Sequence, residues 1–391
     1  MSRRAAALLL LVAGAACNPP VDGAPCAGDG ECPEGQSCSP LGQCEPAPDG
    51  GEARGSAAGC PDAPAGTLVV AMGGGSDAIG NGSSACPLAT VTKALAVAAA
   101  SGGAVTISVH AGPQAYSVAT GERLPLVLGP GVSLVAASGE TPRLAGAGPV
   151  GDGSSSLAAV WMQGGVLQGF ELLGSGAPLG DGVYCTAGSP ALSGDEIHGF
   201  AAGVVVAGSC AATLDRCDVH DEGQESQPGV GVEVIDEASA SVAGSRIHAN
   251  GTGAIVRSTG ATPTEFAGVE VTGNSADGVD CLETSRLSMR SSFVHANGAV
   301  GVSISGACAA DLSGADAAGG CGAANTFVCN GEHDLSTTSS SPVAADHDDW
   351  DQDPPGEEDV FVAEGSAVTL SPTCTNVAGA SNPAPPPTGC Q

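Results

Sequence analysis

Six glycines, Gly182, Gly203, Gly231, Gly253, Gly278 and Gly301, each open the same short pattern at intervals of 21 to 28 residues. One residue on stand Val183, Val204, Val232, Ala254, Val279 and Val302; three residues on stand Cys185, Val206, Val234, Val256, Cys281 and Ile304. All of these are apolar or cysteine. Between them lie Tyr184, Val205, Glu233, Ile255, Asp280 and Ser303, which share no character. Successive side chains of a strand point to opposite faces. The two apolar columns therefore face a common interior, and the mixed column faces out. One such repeat cannot bury its apolar face alone, so repeats have to stack into a solenoid of parallel strands.

A further apolar pair recurs with a constant gap of five: Leu192 and Ile197, Leu214 and Val219, Val242 and Ile247, Phe266 and Val271, Met289 and Val294. This pattern predicts a second strand in every coil. Length differences then belong to the turns, and the longest interval comes from an insertion after Val219. Roughly ten coils are expected over residues 67–330. The solenoid reading overrides composition. A net charge of −31 with Leu, Ile, Val and Phe making up only about 19% of the residues would otherwise suggest disorder, but the same columns are buried again in each coil, so few large apolar side chains suffice. The acidity excludes nucleic-acid binding, which requires clustered Lys and Arg.

The chain opens with Ser2-Arg3-Arg4 and an apolar run over residues 5–16, too short to span a bilayer and the right length for a secretory signal. Small residues precede Cys17, which resembles bacterial lipoprotein signals. That resemblance implies cleavage after residue 16, acylation of Cys17 and a tether over residues 17–25; cleavage after residues 13–15 is the alternative. Export accounts for sixteen cysteines. Cys26, Cys32, Cys38 and Cys44 follow at intervals of six. This module, residues 26–44, is too small for an apolar core, and without a CxxC pair two disulfides are expected in preference to zinc. A Pro/Gly/Ala-rich linker spans 45–66. Beyond 330, residues 331–391 read as an acidic C-terminal cap and a Pro-rich tail.

Where the solenoid begins, residues 67–71 form a short apolar strand, and residues 87–100 place Val91, Ala94, Leu95 and Ala98 at helical spacing. Strands over 105–109 and 132–135 follow. The order of strand, Ser76-Asp77 loop, TxxKAL helix, strand and PGV turn resembles the domain-of-unknown-function family numbered 1565. That family opens pectin-lyase-like right-handed parallel β-helices, and the resemblance covers about residues 67–145. It implies an all-β solenoid, a right-handed single-stranded parallel β-helix with an N-terminal capping helix, here preceded by a disulfide-rich module.

His198, His220, His248 and His295 form a column broken by Thr272. Coils about 4.8 Å apart hold side chains parallel, whereas zinc ligation needs convergence, so a polar turn column is expected. Asn250, Asn274 and Asn297 are expected to stack by amide hydrogen bonds. Asp218, Asp221 and Glu222, in the inserted loop that also holds Glu225, are the candidate catalytic carboxylates. The NTD, GHG and RIK motifs of polygalacturonase-like enzymes are absent. In the acidic run after residue 345, Asp349, Asp351, Asp353 and Glu358 are the candidate calcium ligands, although the EF-hand glycine and terminal glutamate are missing; the alternatives are a solvated segment and a Trp350 that plugs the last coil. No other cofactor is implied. Cys185 with Cys210 and Cys281 with Cys308 share offsets in successive coils and suggest cross-coil bridges; Cys321 with Cys329 and Cys374 with Cys390 are local candidates. The odd number left over requires a free thiol or an intermolecular bond.

The functional expectation is an exported, lipid-anchored protein of the outer membrane or cell surface, or a secreted one if Cys17 is not acylated. It would be a rigid β-helix scaffold, binding glycans or surface proteins on the outside of its coils. The alternative is a polysaccharide lyase or glycoside hydrolase using carboxylates on the side of the helix. A cleft of converging carboxylates beside the insertion favours the enzyme, and a side without such convergence favours the scaffold.

Overall fold

The computed structural model describes residues 36–38, 44–46, 60–175, 180–224, 227–315, 320–351, 354–370 and 373–374. The chain divides into two compact units, Met1–Ala58 and Gly59–Gln391. In the first, strands Gln36–Cys38 and Cys44–Pro46 pair antiparallel with Cys38 opposite Cys44. Cys17, Cys26 and Cys32 lie outside the described residues.

The second unit is a parallel solenoid of about ten turns with three walls. Its first sheet runs from Thr67–Val70 to Val368–Thr369 in twelve strands. The second runs from Arg143–Ala145 to Asp349–Trp350 in nine. The third path runs from Leu126–Leu128 to Val360–Val362. The glycine-led repeat is the third wall. Val183 aligns with Val204, Val232, Ala254, Val279 and Val302 from coil to coil, and Cys185 with Val206, Val234, Val256, Cys281 and Ile304. Val183, Val204, Val206, Val232, Val234, Val256 and Val279 are at most 1% exposed. The interior is these columns together with Leu192, Leu214 and Val242 of the first wall and Ile197, Val219 and Ile247 of the second.

The constant gap of five marks a corner rather than one strand. Two inward residues on a single straight strand must be an even number apart. Here Leu192 centres the first-wall strand Ala191–Ser193 and Ile197 centres the second-wall strand Glu196–His198. Two residues turn the corner between the walls, and the first takes a left-handed conformation: Gly194, Arg216, Gly244, Gly268 and Ser291 in successive coils. The second corner residue points inward, and its side chain or backbone ties adjacent coils. Phe170 donates its N–H to Asp195, Cys217 to Ser245, Ser292 to Asn325, and Asn325 to Asp348, at 2.9–3.1 Å.

The corner between the second and third walls is built alike. Asp221, Ala249, Ala296 and Cys329 are left-handed there, with φ from 53° to 59°. Behind them run Asn250, Asn274, Asn297 and Asn330. Asn274, Asn297 and Asn330 each accept at Oδ1 from the backbone N–H and the Nδ2 of the asparagine one coil before, at 2.9–3.2 Å. Each Nδ2 also donates to a backbone carbonyl of the preceding coil. The repeat-opening glycines Gly231, Gly253, Gly278 and Gly301 make room for this ladder. A Cβ on Gly253 would stand 2.8 Å from Asn274 Nδ2 and 2.4 Å from the Gly278 carbonyl; one on Gly278 would meet Asn297 Nδ2 at 2.8 Å.

At the N-terminal end the helix Val91–Ser101 covers the first coil, burying Val91, Ala94 and Ala98. Its unpaired N–H groups are satisfied by two carboxylates. Asp77 Oδ1 accepts from Ala89 and Thr90, and buried Glu122 accepts from Val91 and Thr92 at 2.8 Å. The Ser76-Asp77 loop is thus a helix clamp.

At the other end the expected boundary at 330 is exceeded. Strands His333–Thr337, Asp349–Trp350, Val360–Val362 and Val368–Thr369 add further coil in register. These strands carry polar residues, and the glycine column has become aspartate, so the repeat is masked in sequence. Trp350 packs on Phe327 with ring centroids 5.1 Å apart and is 6% exposed, closing the core as expected.

Cys185–Cys210 and Cys281–Cys308 are bridged across coils as predicted, and Cys60–Cys86 adds a third bond. The local pairings of Cys321 with Cys329 and of Cys374 with Cys390 are both corrected: Cys321 is bonded to Cys374, because the additional coil brings residue 374 back beside it. Cys329 is disulfide-bonded as well; Cys390 lies outside the described residues. The free thiol among the described residues is Cys217, sealed in the first corner, where burial pushes its pKa up to about 12.

Candidate functional site

The inserted loop emerges where the second wall meets the third. Gly223–Gln224 pairs antiparallel with Gln227–Pro228, so the insertion is a small hairpin. It does not gather the three candidate carboxylates. Residue 221 is the left-handed corner, with φ 54°, so the side chains before and after it leave the wall on opposite sides. Asp218 accepts from His248 Nε2 at 2.9 Å, and Asp221 is bonded to His220 Nδ1 at 2.8 Å. Glu222 turns inward, is 5% exposed and accepts the Phe200 N–H. Its own N–H donates to Asn250 Oδ1. It is the first rung of the asparagine ladder. Burial, helped by Asp221 and Asp181, raises its pKa to about 8, so it is a neutral acid near pH 7. Glu225 lies outside the described residues.

Outside the second wall, each histidine meets an acid of the preceding coil: His198 with Glu171, His220 with Glu196, His248 with Asp218, and His295 with Glu270, at 2.9–3.5 Å. The rings of His198, His220 and His248 stack nearly parallel at 4.8–4.9 Å, the coil spacing expected. Desolvation opposes the charged form of His220, but Asp221, Glu196 and Asp218 outweigh it and raise its pKa. For His248 burial dominates and, despite Asp218, lowers it. Asp218, His220 and His248 lie close enough to share an ion. Their parallel rings and existing acid partners make them instead a column of hydrogen-bonded His–carboxylate pairs.

The third wall offers a different surface. Its outward column reads Trp161, Tyr184, Val205, Glu233, Ile255, Asp280, Ser303, Ser336 and Phe361 in aligned register. The early part is a second apolar cluster closed to solvent: Tyr184 and Val205 are buried, and the partly buried Trp161 packs against them. Asp181, beside it, has its pKa raised to about 7 by burial and by Glu233. Farther along, Arg257 reaches Glu233 at 3.4 Å. Ile235, Asp236, Glu237, Arg257, Thr259 and Glu283 enclose a groove of about 480 Å³, within the usual range of small-ligand sites. Sequence reasoning missed this groove, since Arg257 carries no motif. A larger hollow of about 860 Å³ lies between the capping helix and the first coil, but its lining is mainly small and apolar, including Leu95, Ala98, Pro125 and Val127, with no converging titratable groups.

Of the candidate calcium ligands, Asp351 alone joins a carboxylate cluster, with Asp334 and Asp359. Asp349 belongs to the last second-wall strand. The Glu358 backbone carbonyl lies 3.2 Å from His333 Nδ1. Asp353 lies outside the described residues.

A family model described as "Right handed beta helix region" matches residues 181–333, and one for the family of unknown function DUF1565 matches residues 73–164. The chain is a right-handed parallel β-helix protein. The DUF1565 match contains the helix clamp, and the β-helix match contains the asparagine ladder. No curated protein matches the chain in sequence. Among solved structures, this β-helix is similar to the A-module of the Azotobacter vinelandii mannuronan C-5 epimerase AlgE4, at 15% identity and a TM-score of 0.43, over 74% of this chain and 95% of that one. It is similar to pectate lyase Pel9A, at 15% identity and 0.47, over 82% and 81%. It is also similar to the Dettilon tailspike protein, at 14% identity and 0.49, over 73% and 59%.

Proposed function

We propose that this β-helix is an exported surface scaffold, tethered through an acylated Cys17, that binds glycans along the outside of its third wall. The observation that carries the reading is the Arg257 groove on the outer side of the third wall. In the groove, one guanidinium donor among Asp236, Glu237 and Glu283 suits a hydroxyl-rich ligand that both donates and accepts. Rungs repeated about every 4.8 Å suit an extended chain laid across the coils. The surrounding acidity favours neutral or amine-bearing glycans over uronates.

The competing enzyme reading requires a base and an acid on an open side. Asp218 and Asp221 are engaged with different histidines, and Glu222 is buried in the wall. Glycan-array binding of the full chain, run beside an assay for new reducing or unsaturated ends, tests both readings. Binding without new ends, weakened about tenfold or more by Arg257→Ala, is expected. Release of ends that Asp181→Asn abolishes would establish the lyase or hydrolase instead.

A further inference from the structure

The column of repeat-opening glycines does not end with a glycine. In the next two coils its positions are occupied by Asp334 and Asp359, as the pairing of Val302 with Leu335 and of Leu335 with Val360 requires. The reason for glycine, room for the amide of the ladder, is thereby inverted. Asp334 fills the slot that the next asparagine would have taken: its Oδ1 accepts from Asn330 Nδ2 at 2.7 Å and from Asn330 N–H at 3.3 Å. Its other oxygen, Oδ2, is buried without a hydrogen-bond partner, and the residue is only 3% exposed. Oxygens of Asp334, Asp351 and Asp359 lie within 4.8 Å of one another. Asp359, 5% exposed, accepts from Gly356 N–H, and Asp351 accepts from Cys329 N–H. No Lys or Arg follows Arg290 in the sequence.

We propose that Asp334, Asp351 and Asp359 bind a calcium ion that seals the C-terminal end of the asparagine ladder. Calcium–oxygen bonds of about 2.3–2.6 Å place two ligands of one ion up to about 5 Å apart, the separation this cluster already has. A donor set of carboxylate oxygens alone selects a hard cation over zinc or copper. The ion supplies a partner for the buried Asp334 oxygen and the positive charge that the last hundred residues lack. Burial, with Asp351 and Asp359 nearby, pushes the Asp334 carboxyl up to about 7.

Trp350 immediately precedes Asp351 and can sensitise terbium, a calcium substitute. Terbium titrated into the full chain with tryptophan excitation should give emission that calcium displaces. Asp359→Asn should abolish it. Asp334→Asn keeps the acceptor that Asn330 needs, so it should fold, lose the emission and melt at or above wild type without calcium. In thermal melts at constant ionic strength, calcium should raise the Tm of wild type and leave both variants unmoved. Terbium emission that survives both substitutions, or a folded wild type whose melting ignores calcium, would overturn the site.

Discussion

Replacing Asn274 by alanine tests whether the ladder holds the coils together. The side chain is 1% exposed. Its Oδ1 accepts from Asn250 N–H at 3.0 Å and Asn250 Nδ2 at 3.1 Å; its Nδ2 donates to Asn297 Oδ1 at 2.9 Å and to the Ile247 carbonyl at 3.4 Å. After truncation Asn297 Oδ1 still receives the backbone N–H of residue 274. Two donors on Asn250 are left facing a void. At about 1–3 kcal/mol for each buried group without a partner, the cost is about 2–6 kcal/mol. That is a large part of the usual 5–15 kcal/mol stability of a domain. The exposed neighbour Ser275→Ala should stay within about 0.5 kcal/mol of wild type. Urea unfolding followed by circular dichroism measures both, and the m-value shows whether the coils still unfold as one unit. Pairing Asn274→Ala with Asn297→Ala should cost less than the sum, because the two share bonds. An Asn274→Ala variant as stable as Ser275→Ala would refute the ladder as a source of stability.

Val234→Asp should lose several kcal/mol, because Val234 is fully buried between Val206 and Val256; Glu233→Ala, on the outward column, should change urea stability by less than about 0.5 kcal/mol. Removing the Cys281–Cys308 bond, which closes a separation of 27 residues, should cost about 3.5 kcal/mol on the loop-entropy estimate, measured with the double serine variant. Burial raises the carboxyl pKa of Asp195 and Asp334 to about 7 and of Glu222 and Asp348 to about 8, so the native state binds more protons than the unfolded chain from about pH 4 upward. That stability is present at low pH and lost as pH rises, so without calcium the Tm at pH 5 should exceed that at pH 8; an unchanged or higher Tm at pH 8 would contradict it. Cys17→Ser should move the protein from the membrane fraction to the soluble exported fraction, as membrane fractionation would show.

The interior was legible in the sequence because alternation in a strand leaves a mark at every coil. Val234 could be placed between Val206 and Val256 without coordinates. The corners were harder. Left-handed residues there include Arg216, Ala249 and Ser291 alongside glycines, so turn chemistry did not announce them, and only the odd spacing of Leu192 and Ile197 hinted at a bend. Glu222 was misjudged for the same reason: its side of the wall depends on the conformation of Asp221. The extra coil and the Cys321–Cys374 bond were hidden where Asp334 and Asp359 replace glycine. Arg257 and its groove depend on residues brought together from three coils, which no local pattern reports.

The pairing of one glycine with one asparagine bears on how such a chain changes length over evolutionary time. Both partners of every ladder contact recur once per coil, and each coil presents to the next the same acceptor that it meets in the one before. Duplicating or deleting a stretch of 21 to 28 residues therefore rejoins matched surfaces, wherever in the middle the break occurs. Gaining a few residues inside a wall would throw every later column out of phase. Unequal recombination between neighbouring repeats is thus tolerated in whole coils, while smaller insertions survive at corners, as the hairpin after Val219 did.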